Sequence, residues 1–346
     1  MDTTQPIIEC VPNYSEGRDM RVIRQITDAI QSVEGVKLLH VDPGEATNRT
    51  VVTFAGSPDA VVEAAFRGSK TAAQVIDMRH HHGTHPRMGA TDVLPLIPVS
   101  GITLEECALL GRQLAQRLAA EASIPCYAYE ASALKPEHRN LAVCRAGEYE
   151  ALHEKLTNPA KRPDFMPDLT LTTGGEGNTI PECILRSGCT VVGARDFLIA
   201  VNWNLDTTSV PIAHAIACDV RERGRSRTEP GTLKCTKAIG WYVEEYGIAQ
   251  VSMNMTNIHV TPLHAAFDEV SRCARNHGDR VTGTEIIGLV PKQSLIDAGR
   301  YFLQKEQRPS DLPEDVLIQA AIRSMVLDDL KPFNPDEKVI EYVLQK

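Results

Sequence analysis

A surplus of positive charge is missing from this sequence, and its absence limits the partners that the protein can have. There are 36 lysines and arginines against 45 aspartates and glutamates, which gives a net charge of -9. A protein that binds a nucleic-acid backbone needs an excess of basic residues to neutralise phosphates. We therefore expect no nucleic-acid partner, although an anionic small molecule can bind wherever basic side chains converge.

Long apolar runs and paired cysteines are missing as well. No stretch approaches the roughly 20 apolar residues that a membrane span requires, and residues 1–5 are too polar and too poor in cations to begin a signal peptide. None of the 9 cysteines forms a Cys-x-x-Cys pair, and dispersed cysteines in odd number are typical of reduced thiols. The sequence thus predicts a cytoplasmic protein that does not associate with a membrane.

The hydrophobic pattern contains one order of elements twice. Residues 18–33 and 58–76 have the apolar spacing of amphipathic helices, and short apolar or β-branched runs around them predict strands. Residues 191–290 repeat this order, with the first strand predicted over residues 191–204. We infer an internal duplication of a split β-α-β unit, which is the ferredoxin-like arrangement β-α-β-β-α-β.

The predicted fold class is α+β, with two tandem ferredoxin-like subdomains. Helices on one face of each sheet would leave the other faces to pack against each other, with a ligand cleft between them. The predicted domains are residues 1–180, residues 181–300 and a helical tail over residues 301–346. Long irregular loops in compact domains are often functional, so residues 169–186 are predicted to form a lid that a ligand orders.

Four histidines and an arginine lie within the stretch from His80 to Gly89, between a predicted helix and a predicted strand. Pro86 disfavours helix there, and functional residues concentrate on such connections. The histidines can be a general acid and base, solvated or core residues, or metal ligands. Gly83 and Pro86 argue against the His-x-x-x-His helix of zinc hydrolases, and no second cluster has metal-like spacing.

Asp42 and Arg49 flank a polar loop between two predicted strands. A carboxylate that is hydrogen-bonded to an imidazole fixes its tautomer and raises its basicity. An arginine can hold a carboxylate through two parallel hydrogen bonds. The alternative is a turn residue in an Asp-Pro-Gly sequence and an ordinary surface arginine.

Several long motifs, in order and spacing, resemble those of the glutamate formiminotransferase family. The resemblance covers roughly residues 7–300 and rests on residues 9–17, 47–50, 83–90, 92–93, 145–150, 193–200 and 240–242. It implies transfer of a formimino group from N-formimino-L-glutamate to tetrahydrofolate, a late step of histidine degradation. It also implies a tandem pair of ferredoxin-like subdomains, in agreement with the duplication.

The resemblance places the family's functional residues on positions of this sequence. We assign catalysis to His85, Asp42 and Arg49, and substrate binding to His81, Arg87 and Asn13. The folate-contacting positions are Asp164, Phe165, Met166, Pro167, Ser187 and Gly188. Tetrahydrofolate is the expected co-substrate, no metal is expected, and the expected assembly is a homodimer.

Two departures from the family pattern keep alternatives open. Thr84 stands where animal members have Glu, and additional residues lie between Phe165 and Ser187. A formyl-group transferase that uses N-formylglutamate therefore remains an alternative, as does a folate-binding or metal-dependent hydrolytic protein without transferase activity. Because the sequence ends at Lys346, without the cyclodeaminase domain of bifunctional members, we expect a monofunctional enzyme.

Overall fold

The structure, a computed structural model, describes residues 6–45, 47–83, 86–168, 180–244 and 246–345. The chain divides into two compact units, Met1–Arg195 and Asp196–Lys346, which we call the N-terminal unit and the C-terminal unit. The sequence predicts a boundary after residue 180 and a separate tail from residue 301. The compact units therefore differ from the predicted domains at both points.

The N-terminal unit is built on a mixed sheet of 7 strands within the described residues. Its strands are β1 (Ile7–Cys10), β2 (Asn13–Tyr14), β3 (Val36–Gly44), β4 (Arg49–Gly56), β5 (Thr91–Ser100), β6 (Cys126–Glu130) and β7 (Thr190–Ala194). β1 and β2 both lie between β4 and β5, and β3 pairs with the other side of β4. β7 runs parallel to both β5 and β6, whereas the remaining pairs are antiparallel.

Helices cover both faces of this sheet. They are α1 (Met20–Gln31), α2 (Pro58–Val75), α3 (Leu104–Ala122), α4 (Leu141–Arg145), α5 (Leu152–Thr157) and α6 (Glu182–Ser187). The start of α3 has the capping box that its sequence predicts, in which the side chains of Thr103 and Glu106 each bind the other's backbone N–H.

Two buried clusters lie on opposite faces of the sheet, because adjacent strand residues belong to different clusters. Leu94 and Val192 join the first cluster, with residues of α1, α2 and α3, while Val93 and Val191 join the second, with residues of α4, α5 and α6. The first cluster is the larger core. The second covers only the part of the other face that β5, β6 and β7 form.

The C-terminal unit contains a smaller, antiparallel sheet. Its strands are β8 (Ile199–Leu205), β9 (Thr236–Val243), β10 (Ile248–Met255) and β11 (Val281–Ile287), in the order β11-β8-β10-β9. Its helices are α7 (Val210–Val220), α8 (Leu263–Asn276), α9 (Lys292–Lys305), α10 (Glu314–Ser324), α11 (Pro335–Lys338) and α12 (Ile340–Gln345). The predicted tail, residues 301–346, is attached to the rest of the unit, since the N–H of Thr284 donates to the carbonyl of Val326 at 3.0 Å.

Both units share one order of elements and one order of strands. The N-terminal unit runs β1/β2-α1-β3-β4-α2-β5, and the C-terminal unit runs β8-α7-β9-β10-α8-β11. In both sheets the last of these strands pairs with the first, the first with the third, and the third with the second. A mixed α+β architecture with two repeated units is therefore confirmed.

The predicted strand over residues 191–204 is wrong, because two strands lie there in different sheets. β7 belongs to the N-terminal unit and β8 to the C-terminal unit. Between them, Arg195 donates its backbone N–H to the carbonyl of Leu96 at 3.1 Å. The charged pair Arg195 and Asp196 interrupts the apolar run at this division, but apolar strands stand on both sides of it, and the pattern does not show that they join different sheets.

Candidate functional site

The loop between α2 and β5, residues 76–90, contains the histidines that the sequence predicts to be functional. It begins with a short 3-10 turn, Met78–His80, which Asp77 caps by accepting the N–H of Arg79 at 3.1 Å. His85, the predicted catalytic residue, lies outside the described residues together with Thr84. The described segments on either side of His85 show how the loop is attached to the sheet.

Asn48, in the turn between β3 and β4, joins this loop to two others. Its Oδ1 accepts the N–H of Gly17 at 3.0 Å, and its Nδ2 donates to the carbonyl of His82 at 3.0 Å. Its own carbonyl oxygen lies 2.8 Å from Nε2 of His81. Asn48 is buried and has φ +47°, in the left-handed region that asparagine tolerates better than most residues.

Two glycines allow the backbones to meet around Asn48. A Cβ at Gly83 would lie 2.1 Å from the carbonyl oxygen of Thr47, and a Cβ at Gly17 would lie 2.4 Å from that of Gly44. No other residue type fits at such distances without movement of the backbone. The turn before β4, the loop before α1 and the histidine loop therefore form one packed junction.

His81 is buried at this junction, and its contacts define its protonation. Its Nε2 faces a carbonyl oxygen, which can only accept, so Nε2 carries the proton and Nδ1 is the acceptor. Nδ1 is buried and has no hydrogen-bond partner within the described part of the chain. Burial lowers the pKa of His81, and the nearby charge of Arg87 acts in the same direction. The result is a neutral imidazole with an unused acceptor, whereas His80 and His82 are exposed.

Arg87 is buried and its guanidinium is paired with two carboxylates from the segment after α4. It binds Glu150 through two hydrogen bonds of 2.8 and 2.7 Å, and its Nη1 donates to Glu148 at 3.0 Å. Glu148 also accepts the backbone N–H of Arg87 at 3.2 Å. The hydrogen bonds that the guanidinium donates to Glu150 raise the pKa of Arg87. Arg87 is predicted to bind a carboxylate of the substrate. In the structure, the carboxylates of Glu148 and Glu150 occupy its guanidinium.

The structure brings Asn13, Asp42 and Arg49 to one face of the N-terminal sheet. Asn13 on β2 and Asp42 on β3 both pair with Val51 on β4, so Asn13, Val51 and Asp42 form one row across three strands. Residues paired in this way point to the same face, and so does Arg49, two residues before Val51. Asp42 is exposed and Arg49 is half-buried. The three predicted residues thus lie on one face of the sheet.

A buried ion pair lies next to Arg49. Arg145 donates to Oδ2 of Asp92 at 2.5 Å, and Oδ1 of Asp92 accepts the backbone N–H of Met88 at 3.0 Å. Asp92 is fully buried, and burial raises its pKa, while the charge of Arg145 acts in the opposite direction. Burial lowers the pKa of Arg49, and the charge of Asp92 opposes this shift. The carboxylate of Asp92 therefore anchors the end of the histidine loop to the sheet.

The predicted folate-contacting residues occupy two separate places. In the first, Oδ2 of Asp164 accepts the N–H of Ala128 at 3.0 Å and lies 2.8 Å from Nδ1 of His138. Phe165 exchanges backbone hydrogen bonds of 2.9 and 3.0 Å with Cys126 at the start of β6. Residues 164–167, which include Met166 and Pro167, are therefore attached to the edge of the sheet.

Ser187 and Gly188 lie instead beside the end of the histidine loop. The carbonyl of Ser187 accepts the N–H of Ala90 at 2.7 Å, and Gly188 forms an isolated bridge with Gly89. A Cβ at Gly188 would lie 2.3 Å from the carbonyl oxygen of Met88. The predicted lid between these two places falls mostly on residues 169–179, outside the described residues.

A cavity of about 470 Å³ opens beside the histidine loop. Its polar lining consists of Arg79, His81, His82, Arg87, Glu150 and His153, and its apolar lining includes Met78, Leu152, Ile180 and Leu185. The volume is within the range of small-molecule sites, which are mostly apolar with a few converging polar groups. The cavity combines cations, imidazoles and an apolar wall.

Sequence reasoning missed several residues of this site. Asn48, Asp92 and the two glutamates on Arg87 belong to the quoted motifs, but their contacts join residues far apart in the chain. Glu9 was missed as well: it is 4% exposed, and burial raises its pKa to about 7, with the charge of Arg195 acting in the opposite direction. A glutamate inside an apolar strand was the available signal.

The described part of the chain contains no candidate metal site and no candidate membrane span. No group of three or more His, Cys, Asp or Glu side chains in that part could hold a metal ion. None of its helices has the length and apolar character of a membrane span. The cysteines are free, and most of them are buried, as the sequence predicts.

Comparisons with known proteins match almost the whole chain. Residues 7–195 match the family model described as "Formiminotransferase domain, N-terminal subdomain", and residues 200–345 match the model "Formiminotransferase domain". The division between these models falls close to the division between the two compact units.

Relatives with curated names agree with the family models. The chain is 45% identical over 338 residues to formimidoyltransferase-cyclodeaminase of Rattus norvegicus, covering 98% of this chain and 60% of that protein. It is 42% identical over 300 residues to glutamate formimidoyltransferase of Streptococcus pyogenes serotype M1, covering 87% and 94% of the two chains. For glutamate formimidoyltransferase of Thermoplasma acidophilum the identity is 39% over 300 residues, with coverage of 86% and 92%. The chain thus spans 60% of the length of the rat relative and nearly all of the two shorter ones.

Proposed function

The chain belongs to the formiminotransferase family, and from this premise we propose that it transfers the formimino group of N-formimino-L-glutamate to tetrahydrofolate. The products would be 5-formiminotetrahydrofolate and L-glutamate, in the breakdown of histidine. The observation that carries the proposal is the junction at Asn48. It holds the histidine loop against the strands that carry Asp42 and Arg49, inside the unit that matches the family's N-terminal subdomain.

We propose that His85 moves the protons of this reaction. N5 of tetrahydrofolate attacks the amidine carbon of the donor and forms a new C–N bond, and His85 takes the proton that N5 loses. The tetrahedral adduct then breaks its bond to the glutamate nitrogen, and His85 returns the proton to that nitrogen. A single residue can act as base and then as acid when its pKa lies near the working pH, as that of histidine does.

The neighbouring residues have supporting roles in this proposal. Asp42 orients or supports His85, and Arg49 and Arg87 hold carboxylates of the donor or of the folate tail, with His81 and Asn13 at the donor. The folate contacts are assigned to residues 164–167 and to Ser187 and Gly188. Support comes from the shared sheet face of Asn13, Asp42 and Arg49, and from the packing of Gly188 against the histidine loop.

The finer description of the fold belongs to the same proposal. The strand order that both sheets share supports the ferredoxin-like interpretation of each repeat. The facing of the two sheets, the ligand cleft between them, the homodimer, the cytoplasmic location and the absence of nucleic-acid and membrane partners stay predictions.

A parallel assay of two donors tests the proposed function. The purified full chain is incubated with tetrahydrofolate and either N-formimino-L-glutamate or N-formyl-L-glutamate, and the folate product and free glutamate are measured. We expect 5-formiminotetrahydrofolate and glutamate in equal amounts from the first donor. Product from the formyl donor alone would replace the proposal with a formyltransferase. Product from neither donor, together with a stoichiometric metal in the protein, would favour the hydrolytic alternative.

A further inference from the structure

The ion pair between Arg87 and Glu150 joins two side chains in very different surroundings. The side chain of Arg87 is 10% exposed, whereas that of Glu150 is 63% exposed. A buried guanidinium needs a counter-charge at all times, because an unpaired buried charge is costly. An exposed carboxylate has no such need, since water solvates it well. Glu150 can therefore leave Arg87 at low cost if another carboxylate takes its place.

Glu148 differs from Glu150 in the contacts that hold it. Its Oε2 accepts both the backbone N–H of Arg87 at 3.2 Å and Nη1 at 3.0 Å, so it binds the loop as well as the side chain. Glu150 instead binds the guanidinium, through the planar two-bond geometry that a ligand carboxylate would also adopt, and its further hydrogen bond is to its own backbone. The arginine thus has one carboxylate that fixes it in place and one that can be exchanged.

Two buried polar atoms beside this pair have no hydrogen-bond partner among the described residues. Nε of Arg87 is an unused donor and Nδ1 of His81 is an unused acceptor, and both residues are more than nine-tenths buried. Unmet buried groups carry a desolvation cost that a ligand can remove. Since Nε2 of His81 donates to the carbonyl of Asn48, Nδ1 can accept a hydrogen bond from an N–H of a ligand.

We propose that the cavity beside the histidine loop binds the donor substrate by its carboxylate, and that Glu150 occupies this place on Arg87 until the donor arrives. The ligand class is an N-substituted amino acid with a free carboxylate and an N–H group. The carboxylate exchanges with Glu150 on Arg87, and the N–H donates to Nδ1 of His81. One carboxylate replaces another on Arg87, so the charge beside the guanidinium is unchanged. The carboxylate of Glu150 is then solvated by water.

This inference rests on the proposed function for the identity of the donor, but not for its test. Binding of N-formimino-L-glutamate to the full chain is measured by calorimetry without tetrahydrofolate, so that no turnover occurs. The variants are Glu150→Gln, Glu148→Gln and Arg87→Lys. Because Glu150 is exposed, we expect its replacement to leave the thermal unfolding midpoint close to that of the wild type.

The three variants are expected to change the Kd of the donor in different ways. Glu150→Gln removes the internal competitor, and we expect the Kd of the donor to fall roughly three- to tenfold. Glu148→Gln loosens the loop without freeing the two-bond position, so no gain in affinity is expected. Arg87→Lys loses the planar fork, and the Kd should rise about tenfold or more.

Other outcomes would overturn the inference. An unchanged or higher Kd in Glu150→Gln would show that the ion pair is only structural. Equal tightening by Glu148→Gln and Glu150→Gln would show a general effect of charge. Tighter binding of tetrahydrofolate but not of the donor would place the folate tail on Arg87 instead. If the wild type binds the donor with the expected Glu150 effect but does not turn it over, the proposed function fails while the carboxylate site stands.

Discussion

The two units repeat one framework but use the connection after their second helix differently. In the N-terminal unit, residues 76–90 join α2 to β5 and contain the histidine loop. In the C-terminal unit, residues 277–280 join α8 to β11 in a short turn. The framework therefore needs only a few residues between its second helix and the strand that follows. The long loop of the N-terminal unit thus has a purpose other than folding.

The turns between the two middle strands show the same contrast at a single residue. Asn48 directly precedes β4, and Gly247 directly precedes β10, with φ of +47° and +66°. Glycine is the relaxed choice for this conformation. Asparagine is found where its side chain binds Gly17 and His82. The N-terminal unit therefore has a residue that is less favourable than glycine in this backbone conformation, and the side chain of that residue binds the histidine loop.

The units also bury different kinds of polar group. The C-terminal sheet holds a chain of amides, in which Trp241 donates to Gln250 at 3.1 Å, Gln250 to Asn204 at 2.8 Å, and Asn204 to Asp329 at 2.9 Å. The N-terminal unit buries several ionisable residues, among them Glu9, Asp92 and His81, whereas Arg221 is the ionisable residue in the buried set of the described C-terminal unit, and arginine keeps its charge. Neutral amides do not titrate, so we expect the pH dependence of the protein to arise mainly in the N-terminal unit.

The largest expected effect separates the two connections. Replacement of His85 by Ala should lower kcat by roughly a hundred- to ten-thousand-fold, as for other lost acid and base groups. His277→Ala, in the short connection, removes an imidazole that lies 2.7 Å from Asp219 and should leave kcat within about twofold. Steady-state kinetics with formiminoglutamate and tetrahydrofolate measure both variants.

An equal loss of activity in His85→Ala and His277→Ala would show that the two connections do not differ in their importance for catalysis. Activity of His85→Ala close to that of the wild type would remove His85 from the mechanism. Binding of tetrahydrofolate to His85→Ala provides the control for folding, since we expect it to be retained.

Glu9 tests the contrast between ionisable and neutral buried groups. Its pKa is raised from 4.5 to about 7, so between these values the unfolded chain loses a proton that the folded chain keeps. The folded state is therefore penalised progressively as pH rises from about 4.5 to about 7. Glu9→Gln removes the penalty, and its free energy of unfolding relative to the wild type should be about 3 kcal/mol higher at pH 8 than at pH 4.

The reciprocal change in the C-terminal unit sharpens this test. Gln250 is fully buried, so Gln250→Glu should create a pH-dependent loss of stability of the same sign as that of Glu9. Urea unfolding at several pH values measures both variants. If Glu9→Gln shifts stability equally at pH 4 and pH 8, the pKa of Glu9 is the same in the folded and the unfolded chain, and the contrast between the units is smaller than described.

Much of the framework could be predicted from sequence because it depends on local signals. The repeated order of elements follows from helical and strand periodicity, and α3 begins where its capping box indicates. The assignment of β7 and β8 to different sheets could not be predicted, since parallel pairing of β7 with β5 and β6 is a long-range property. Pattern alone does not show which sheet an apolar strand joins.

The sequence predicts which residues form the candidate site, and their roles stay predictions, but it does not predict their contacts. Asp42, Arg49 and Asn13 do share a face of the sheet, as residues of one site would. The carboxylates that surround Arg87 lie about 60 residues further along the chain, and nothing in the local sequence pairs them. Asp164 was predicted to contact folate, but its carboxylate binds Ala128 and His138, contacts that no spacing reveals.

The last and smallest expected effect exchanges the two turn residues. Asn48→Gly keeps the left-handed conformation but removes two hydrogen bonds, so we expect a loss of about 2 kcal/mol in the free energy of unfolding. Because the histidine loop loses an anchor, kcat should fall about tenfold with a smaller change in KM. Asn48→Asp retains the acceptor for Gly17 but not the donor to His82, and its kcat separates the two bonds.

Gly247→Asn is the matched control for Asn48→Gly, since a Cβ built at Gly247 has no atom of the described residues within 4 Å apart from those of its chain neighbours. It should cost less than about 1 kcal/mol and leave kcat unchanged, because asparagine tolerates the left-handed region. Nitrogen NMR shifts of His81 give a readout besides activity. In the wild type Nε2 should carry the proton, and a mixture of tautomers in Asn48→Gly would show that the turn orients the ring. An unchanged tautomer with unchanged kcat would mean that asparagine serves the turn alone, as glycine does in the C-terminal unit.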